Sequence, residues 1–315
     1  METARAMPEQ LVIHDHDGGL DDFLALALLL TMPAVEVRGV VVTPADCYIE
    51  PALSVTRKLL DVMGRSTIPV AESTVRGLNP FPREWRQSTF VVDHFPMLND
   101  RDAIQTPLVA EDGQHFLARL LTEAEAQVTL CVTGPLTTVA AALDLDATIE
   151  PKIKEIVWMG GALNVPGNVD PIQEANHDGS AEWNVFWDPP AARQIWETAI
   201  PIILCPLDIT NHVPLTSALV KQFGRERQHP LMEFAALCYG SVMKQGGYYF
   251  WDVLTAAYIG RPDLFTLRTW ETELIATGRS QGRTRVQPGG RVVQALDTVD
   301  LDGFYAYLLK QWRGG

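Results

Sequence analysis

Cysteine and positive charge are both scarce in this chain. The four cysteines among 315 residues show no C-x-x-C spacing: Cys47, Cys131, Cys205 and Cys238. We therefore expect buried thiols rather than a disulfide framework or a zinc site. The 25 Lys and Arg residues against 39 Asp and Glu residues give a net charge of −14. This charge argues against a broad nucleic-acid surface and favours a small-molecule substrate.

Long hydrophobic runs are absent as well. The apolar stretch Phe23–Leu30 is too short to cross a bilayer, which takes about 20 residues. The segment Met1–Gln10 is polar and contains acidic residues, unlike a secretory signal. We therefore expect a cytoplasmic protein that does not associate with membranes. With 47% hydrophobic residues, the chain can bury a large core, and we predict a single catalytic domain over residues 1–315.

What the sequence does contain is a dense acidic cluster. Four aspartates fall within eight residues, between the predicted strand Leu11–His14 and the predicted helix Phe23–Leu30: Asp15, Asp17, Asp21 and Asp22. Carboxylates crowded on such a turn repel one another unless a cation or shared protons hold them. A hard divalent ion with oxygen ligands is the simplest solution. A helix cap would explain the second pair of aspartates, but not the first pair, which precedes the two glycines of the turn.

The order of the predicted elements indicates an α/β fold. Strand-like runs alternate with helix-like segments, as in a mostly parallel sheet with helices on both faces. The predicted strands are Leu11–His14, Val35–Thr43, Ile68–Ala71, Gln127–Thr133, Ile156–Met159 and Ile202–Cys205. The predicted helices include Ala52–Met63, Gln114–Glu123, Leu136–Leu143 and Pro190–Thr198. Alternating short runs over Leu264–Leu296 predict a small C-terminal antiparallel appendage, and a last helix is predicted over Asp300–Trp312.

Polar clusters follow several of the predicted strands. In open α/β sheets, ligands bind beyond the carboxyl ends of the strands. Asp46 follows the second predicted strand, Thr133 ends the fourth and Met159-Gly-Gly161 ends the fifth. The long connections Glu72–Gln114 and Ala162–Asp188 are predicted to be functional, because they carry too many large side chains for simple disorder.

Taken together, these motifs resemble the nucleoside hydrolase family, also called inosine-uridine preferring nucleoside hydrolases. The acidic cluster is similar to the family's D-x-D-P-G-x-D-D signature, with Gly18 where proline is usual. Five further landmarks follow in order along nearly the whole chain: Val132-Thr-Gly-Pro-Leu-Thr-Thr-Val139, Met159-Gly-Gly161, Gly167-Asn168, Ala181-Glu-Trp-Asn184 followed by Asp188-Pro189, and Asp208-Ile-Thr210. The resemblance implies a Rossmann-like nucleoside hydrolase fold and a homo-oligomer, either a dimer or a tetramer.

The implied activity is that of a calcium-dependent N-ribosidase, which hydrolyses ribonucleosides to ribose and free base. By position, Asp17 would bridge one Ca²⁺ and the attacking water. Asp22, Asp252 and the carbonyl of Thr133 would complete the protein ligands. This set agrees with the preference of Ca²⁺ for six to eight oxygens.

The ribose hydroxyls would be held by four polar residues: Asp21, Asn168, Glu182 and Asn184. Asp46 lies where the family has a polar residue that contacts the substrate. Asp15 would support the metal site from behind, and His16 is expected to be a buried histidine with satisfied hydrogen bonds rather than a ligand. Glu182 and Asn184 are also compatible with turn or capping roles. The acidic stretch Asp170–Asp178 is compatible with a merely solvated insertion.

The residue before Asp252 points to the substrate. In the broad-specificity branch a histidine there protonates the leaving base, whereas this chain has Trp251. The segments Gly247-Tyr-Tyr-Phe-Trp-Asp252 and Phe81-Pro-Arg-Glu-Trp85-Arg are similar to the purine-specific inosine-adenosine-guanosine branch, for which stacking of the purine between two tryptophans is proposed. A base between electron-rich rings carries positive charge more easily, so a dedicated acid is unnecessary. Apart from this resemblance, Trp85 and Trp251 could equally be core aromatics.

Other functions remain open at this point. The nearest is a pyrimidine-preferring or modified-nucleoside hydrolase of the same family, because loops set specificity. Asp15-His-Asp17-Gly18 also matches the D-x-D-G opening of haloacid-dehalogenase-like phosphatases, with Asp15 as nucleophile, Asp17 as general acid and Mg²⁺ as metal. That hypothesis leaves Asp252 and the later aspartates of the cluster unexplained. A catalytically silent, calcium-dependent nucleoside-binding module is a further possibility.

Overall fold

The computed structural model describes residues 10–243 and 247–314, and a single sheet runs through them. Its strands are β1 (Gln10–His16), β2 (Val35–Val42), β3 (Val70–Glu72), β4 (Val128–Val132), β5 (Ile153–Met159), β6 (Ile202–Cys205), β7 (Phe265–Ile275), β8 (Arg283–Val286) and β9 (Arg291–Val299). Their order across the sheet is β3-β2-β1-β4-β5-β6-β9-β7-β8. The strands from β1 to β6 pair in parallel with their neighbours, which confirms the six strands predicted from the sequence.

Helices connect the parallel strands and complete the chain. They are α1 (Leu20–Thr31), α2 (Ile49–Val62), α3 (Arg83–Arg86), α4 (Ser88–Asp93), α5 (Gly113–Glu123), α6 (Thr137–Leu145), α7 (Trp183–Trp187), α8 (Pro189–Trp196), α9 (Leu207–Thr210), α10 (Ser217–Arg225), α11 (Pro230–Val242), α12 (Asp252–Gly260) and α13 (Leu301–Gly314). Short 3₁₀ helices lie at Pro96–Leu98, Ala147–Lys152 and Pro262–Leu264. The predicted helices are thereby found, with ends shifted by a few residues. No helix of the described ranges is long and apolar enough to span a bilayer.

The sheet has an apolar core on each face, as successive residues of β1 show. Val12 belongs to the core shared with α1, α2, α11, α12 and α13, whereas Ile13 belongs to the core under α5, α6 and α8. Neighbouring side chains of a strand point to opposite faces, so a strand buried on both sides must be apolar at every position. This explains why the central strands appear in the sequence as continuous apolar runs. The predicted two-sided α/β architecture is confirmed.

The C-terminal strands extend the main sheet. β7 pairs antiparallel with both β8 and β9, as the alternating sequence pattern predicts. β9 also pairs in parallel with β6, through Ile203–Gln294 and Leu204–Ala295. The antiparallel appendage is therefore a continuation of the parallel sheet.

The stretch Asp170–Asp178 is more than a solvated insertion, in contrast to the simplest expectation. The backbone N–H of Asp178 donates to the carbonyl of Arg279 at 2.9 Å, and the hydroxyl of Ser280 donates to the Asp178 carboxylate. His177 is buried and lies 2.9 Å from the carbonyl oxygen of Gln281 through Nε2. Because these contacts reach the β7–β8 turn, the insertion fixes the second long connection against the C-terminal strands.

Candidate active site

The acidic cluster occupies the turn between β1 and α1. Gly18 has a φ of 81°, and a Cβ there would lie 2.7 Å from Cβ of Cys47. The N–H of Gly18 also donates to Nδ1 of His16 at 3.2 Å. Proline has a φ near −65°, a Cβ and no N–H. It could therefore not adopt the positive φ, avoid Cys47 or donate to His16. The departure from the family signature at this position is therefore part of a turn that requires glycine.

The carboxyl ends of the parallel strands open into a cavity of about 390 Å³. Seven carboxylates line it: Asp17, Asp21, Asp22, Asp46, Glu84, Glu182 and Asp252. Other polar lining residues are Thr133, Asn168 and Asn184, and the aromatic ones are Phe81, Trp85, Trp183, Tyr248 and Trp251. The structure thus brings every residue named as a candidate catalytic, metal or substrate residue into one cavity.

Burial and mutual repulsion dominate the electrostatics of the cluster. Burial raises the pKa of Asp17 well above its usual value, and the charges of Asp22 and Asp46 raise it further. Burial likewise raises the pKa of Asp252, with added repulsion from Asp22 and other aspartates. For Asp22, burial raises the pKa to about 6, against the effect of hydrogen bonds from Thr133 and Gly19. Such a group of carboxylates is stabilised by a bound cation.

The donor set at this end of the cavity suits a hard divalent cation. Asp17, Asp22, Asp252 and Thr133 line it. The candidate oxygens are the three carboxylates and the carbonyl of Thr133, which also accepts from the Asn184 amide at 3.0 Å. Among the described residues, no three acidic, histidine or cysteine side chains converge into a preformed metal site. The Asp17 and Asp22 carboxyl groups instead share a hydrogen bond with each other. Metal binding therefore requires loss of the shared proton and rotation of these side chains towards the ion.

Asp21 is held by donors from two distant helices. Its Oδ1 accepts a hydrogen bond from the hydroxyl of the fully buried Tyr239 in α11, and its Oδ2 accepts from the backbone N–H of Asp252 at 2.8 Å. Burial raises the pKa of Asp21 to about 7, while both hydrogen bonds act in the opposite direction. Tyr239 was missed by the sequence analysis, because 218 residues separate it from Asp21 and no local pattern marks it.

Glu182 and Asn184 combine a structural role with a place in the cavity. Glu182 caps α7 by accepting from the N–H groups of Asn184 (2.8 Å) and Val185 (3.3 Å). The amide of Asn184 donates to the carbonyls of Thr133 (3.0 Å) and Met159 (3.1 Å). Burial raises the pKa of Glu182 to about 7, against these backbone hydrogen bonds. The capping role therefore coexists with a position in the cavity lining.

Asn168 is fixed to the same helix. Its Oδ1 accepts from the backbone N–H of Trp183 at 3.1 Å, and its carbonyl accepts from the indole N–H of Trp183 at 3.1 Å. The second long connection is thereby tied to the start of α7, which brings three of the predicted sugar contacts onto one side of the cavity.

The residues behind the cluster are fully enclosed. Asp15 does not line the cavity; its Oδ1 accepts from the hydroxyl of Thr43 at 2.7 Å, and burial raises its pKa to about 8. The ring nitrogens of His16 contact Gly18 N and the Thr56 hydroxyl, and burial lowers the pKa of His16 to about 3. His16 is therefore a neutral structural residue with neither nitrogen available for a metal. The enclosed position of Asp15 also argues against a nucleophile.

Aromatic side chains form two groups on the cavity lining. Phe81, Trp85 and Trp183 make the first: Trp85 packs edge-on to Trp183 with ring centroids 5.3 Å apart, and Phe81 lies 5.2 Å from Trp183. Trp251 and Tyr248 make the second, with centroids 4.6 Å apart. Trp85 is 37% exposed, whereas Trp251 is half-buried. The sequence analysis missed Trp183, although its position between two predicted sugar contacts was a usable signal.

Comparison with known proteins identifies the family. Residues 12–306 match the family model described as inosine-uridine preferring nucleoside hydrolase. The chain belongs to this family. Its members are enzymes that hydrolyse nucleosides, so the enzyme class and the fold implied by the sequence landmarks are confirmed, and the phosphatase alternative is set aside.

Individual relatives differ in the base that their names specify. The pyrimidine-specific ribonucleoside hydrolase RihA of Klebsiella pneumoniae is 30% identical over 300 residues, which are 91% of this chain and 87% of that protein. The solved inosine-uridine preferring nucleoside hydrolase of Bacillus anthracis is 44% identical, with a TM-score of 0.93 over 97% of this chain and 100% of the other. The purine-preferring ribonucleoside hydrolase of Gardnerella vaginalis is 24% identical with a TM-score of 0.80 over 97% of this chain and 98% of the other, which shows a shared fold.

Proposed function

We propose that this nucleoside hydrolase is a calcium-dependent N-ribosidase that cleaves purine ribonucleosides, namely inosine, adenosine and guanosine, to ribose and free base. The observation that carries the proposal is a single cavity in which buried carboxylates meet two groups of aromatic rings. The carboxylates supply the chemistry for water activation and sugar binding. The rings supply the chemistry for holding a large, flat leaving group.

The metal ligands in this proposal are Asp17, Asp22, Asp252 and the carbonyl of Thr133. Ca²⁺ would supply a bound, polarised water and two coordination positions for sugar hydroxyls. Burial first, and the neighbouring aspartates second, raise the pKa values of Asp17 and Asp252. This supports the assignment, because a bound divalent cation offsets both effects.

Asp17 is proposed as the general base. Its buried carboxylate takes a proton from the attacking water as the water oxygen bonds to the anomeric carbon and the bond to the base nitrogen breaks. The backbone of Gly134 lies directly against this side chain, and only glycine fits there, since a Cβ would lie 2.7 Å from Cβ of Asp17.

The sugar is proposed to be recognised by Asp21, Asn168, Glu182 and Asn184. All four side chains are held by hydrogen bonds to backbone groups or, for Asp21, also to Tyr239, so their orientation precedes substrate binding. A site built this way discriminates strongly against a sugar that lacks one hydroxyl, because a buried polar group is then left unpaired. Asp46, whose backbone N–H donates to Oδ2 of Asp17 at 3.2 Å, is proposed as a further substrate contact.

Trp251 and Trp85 are proposed to stack the leaving base. Trp251 occupies the position at which the broad-specificity branch has a histidine that protonates the base. Both line the cavity, and Trp251 immediately precedes the proposed metal ligand Asp252. The base takes its proton from solvent as the glycosidic bond breaks. Stacking is worth about 1 to 3 kcal/mol per base, and the part that grows as the base becomes cationic lowers the barrier. A purine offers more stacking area than a pyrimidine and gains more. A homo-oligomeric state, dimer or tetramer, and a cytoplasmic location complete the proposal.

The decisive experiment is a panel of inosine, guanosine, adenosine, uridine and cytidine, assayed for base release with and without a calcium chelator. We expect purine ribonucleosides to have a much higher kcat/KM than uridine or cytidine, and chelation to abolish all turnover. Equal kcat/KM for inosine and uridine would refute the purine assignment. Nucleoside binding without any base release would instead identify a silent binding module.

A further inference from the structure

His14 is a buried polar residue that the proposed reaction does not use. It lies in β1, does not line the cavity and is fully buried. Its Nδ1 has no hydrogen-bond partner within the part of the chain that the structure describes. An apolar side chain would fill this position without leaving a buried polar atom unpaired, at a lower cost in free energy. A role for the imidazole must therefore lie at its other nitrogen, Nε2.

The pairing of β1 with β4 brings Thr133 next to this ring. His14 pairs with Cys131, and Thr133 follows two residues later, so its side chain lies on the same face of the sheet. The backbone N–H of Thr133 donates to the carbonyl of Asp15 at 3.0 Å, which holds Thr133 against β1 just beyond the paired residues. Nε2 of His14 then lies 3.0 Å from Oγ of Thr133, in a buried contact.

The direction of this hydrogen bond follows from the acceptor on the other side of Thr133. Its hydroxyl also contacts Oδ1 of Asp22, and a carboxylate oxygen can only accept, so the threonine donates its one proton there. The hydroxyl oxygen is left to accept from His14. The imidazole must therefore carry its proton on Nε2, and Nδ1 is unprotonated.

Asp22, at the end of this chain of donors, is a proposed calcium ligand. Its Oδ2 accepts from the backbone N–H of Gly19 at 2.7 Å, so each of its oxygens accepts from a protein donor. The Gly19 donor is fixed by the backbone, whereas the Thr133 hydroxyl can rotate about its C–O bond. The N–H of His14 removes that freedom, because it is directed at the hydroxyl oxygen. Hydrogen bonds in such a chain also polarise and strengthen one another.

We propose that His14 is a positioning residue of the metal site, which acts through the hydroxyl of Thr133 to hold the Asp22 carboxylate in the orientation that binds the cation. This inference rests on the proposed function, in which Asp22 is a calcium ligand. Residues that hydrogen-bond to a ligating side chain orient it, and their loss typically weakens metal binding by about 10- to 100-fold. His14 lies one hydrogen bond further from the ion, so its effect should be smaller.

The test is calcium affinity, measured by isothermal titration calorimetry on the full chain after removal of bound metal. His14→Leu should weaken calcium binding about three- to tenfold. His14→Gln, whose amide can place an N–H near the position of Nε2, should keep the affinity within about twofold of the unmodified protein. His177→Leu is the matched control, because it also removes a buried imidazole outside the cavity lining and should leave the affinity unchanged.

A double-mutant cycle tests the route through Thr133. Thr133→Val removes the hydroxyl but keeps the proposed ligand carbonyl, and should weaken calcium binding by about 10- to 100-fold. Adding His14→Leu to Thr133→Val should cause no further loss, because the hydroxyl through which His14 acts is already absent. The melting temperature of His14→Leu without calcium should be unchanged or higher, since the substitution removes an unpaired buried atom.

Nitrogen NMR of histidine-labelled protein tests the direction of the hydrogen bond. The His14 ring, assigned by its absence from the spectrum of His14→Leu, should be protonated at Nε2 only. A proton on Nδ1 would overturn the inference, because Thr133 could then not donate to Asp22.

Two affinity results would also overturn it. One is an unchanged calcium affinity for His14→Leu, and the other is a loss of the same size in the presence and absence of the Thr133 hydroxyl. Failure of the proposed function would differ from both, since the unmodified protein would then bind no calcium and release no base from inosine.

Discussion

Tyr239→Phe is expected to shift the pH dependence of the enzyme towards alkaline pH. The substitution removes one hydroxyl from a fully buried ring and thereby the hydrogen bond to Oδ1 of Asp21. The ring itself stays packed against Phe250, whose centroid lies 5.1 Å away. Asp21 must accept hydrogen bonds from the sugar in the proposed function, which requires the ionised carboxylate.

The size of the shift follows from the energy of that hydrogen bond. A hydrogen bond to a charged group contributes about 1.5 to 3 kcal/mol, and one pKa unit corresponds to about 1.4 kcal/mol. Burial already raises the pKa of Asp21 to about 7 while the Tyr239 hydroxyl lowers it, so loss of the hydroxyl should raise it by about one to two further units. A raised pKa keeps Asp21 protonated at neutral pH. Activity should therefore fall about tenfold at pH 7 and recover near pH 9.

The assay is kcat/KM for inosine between pH 5 and pH 10 under calcium saturation. Tyr305→Phe is the matched control, because it also removes one phenol hydroxyl, which donates to the carbonyl of Pro214 at 2.9 Å, and Tyr305 does not line the cavity. The control should keep the profile of the unmodified enzyme. A Tyr239→Phe profile that is lowered by the same factor at every pH, or not changed at all, would refute the positioning role.

Further predictions concern the general base Asp17, the metal, the packing around Asp17 and the sugar site. Asp17→Asn should lower kcat for inosine by roughly two to four orders of magnitude, and near-normal turnover of pure variant would remove Asp17 from the mechanism. Elemental analysis should find one Ca²⁺ per chain, with ligand distances of about 2.3 to 2.6 Å in a crystal structure; distances near 2.0 to 2.1 Å would indicate Mg²⁺ instead. Gly134→Ala should reduce kcat at least about tenfold with folding retained by circular dichroism, because its Cβ would displace Asp17 by contact at 2.7 Å. The pKa of Glu182 is raised by burial to about 7 from 4.5, so its contribution to stability is full below pH 4.5 and is lost as pH rises through 7. Glu182→Gln should therefore become more stable relative to the unmodified protein over this window, as measured by thermal unfolding; a pH-independent difference would contradict the assignment.

The local sequence was sufficient for the central sheet, and it identified residues that line one cavity. Parallel strands buried on both faces must be apolar throughout, so β1, β4 and β6 appear as apolar runs whatever they pair with. The carboxyl ends of such strands meet at one edge, which is why polar residues following different strands could be assigned to one site. The resemblance to the nucleoside hydrolase family extended that inference to Asp252, in the last third of the chain.

Only the tertiary structure decided contacts made between distant segments. The hydroxyl of Tyr239 reaches Asp21 across 218 residues, and Ser280 reaches Asp178 across 102. Neither residue stands out in the sequence, because a single hydrogen bond requires no periodic pattern of residues. β9 joins β6 in the same way, through packing of the completed sheet. The local hydrophobic pattern indicates which residues must be buried. Which of them contact one another depends on how distant segments of the chain come together and on the space available in the folded core.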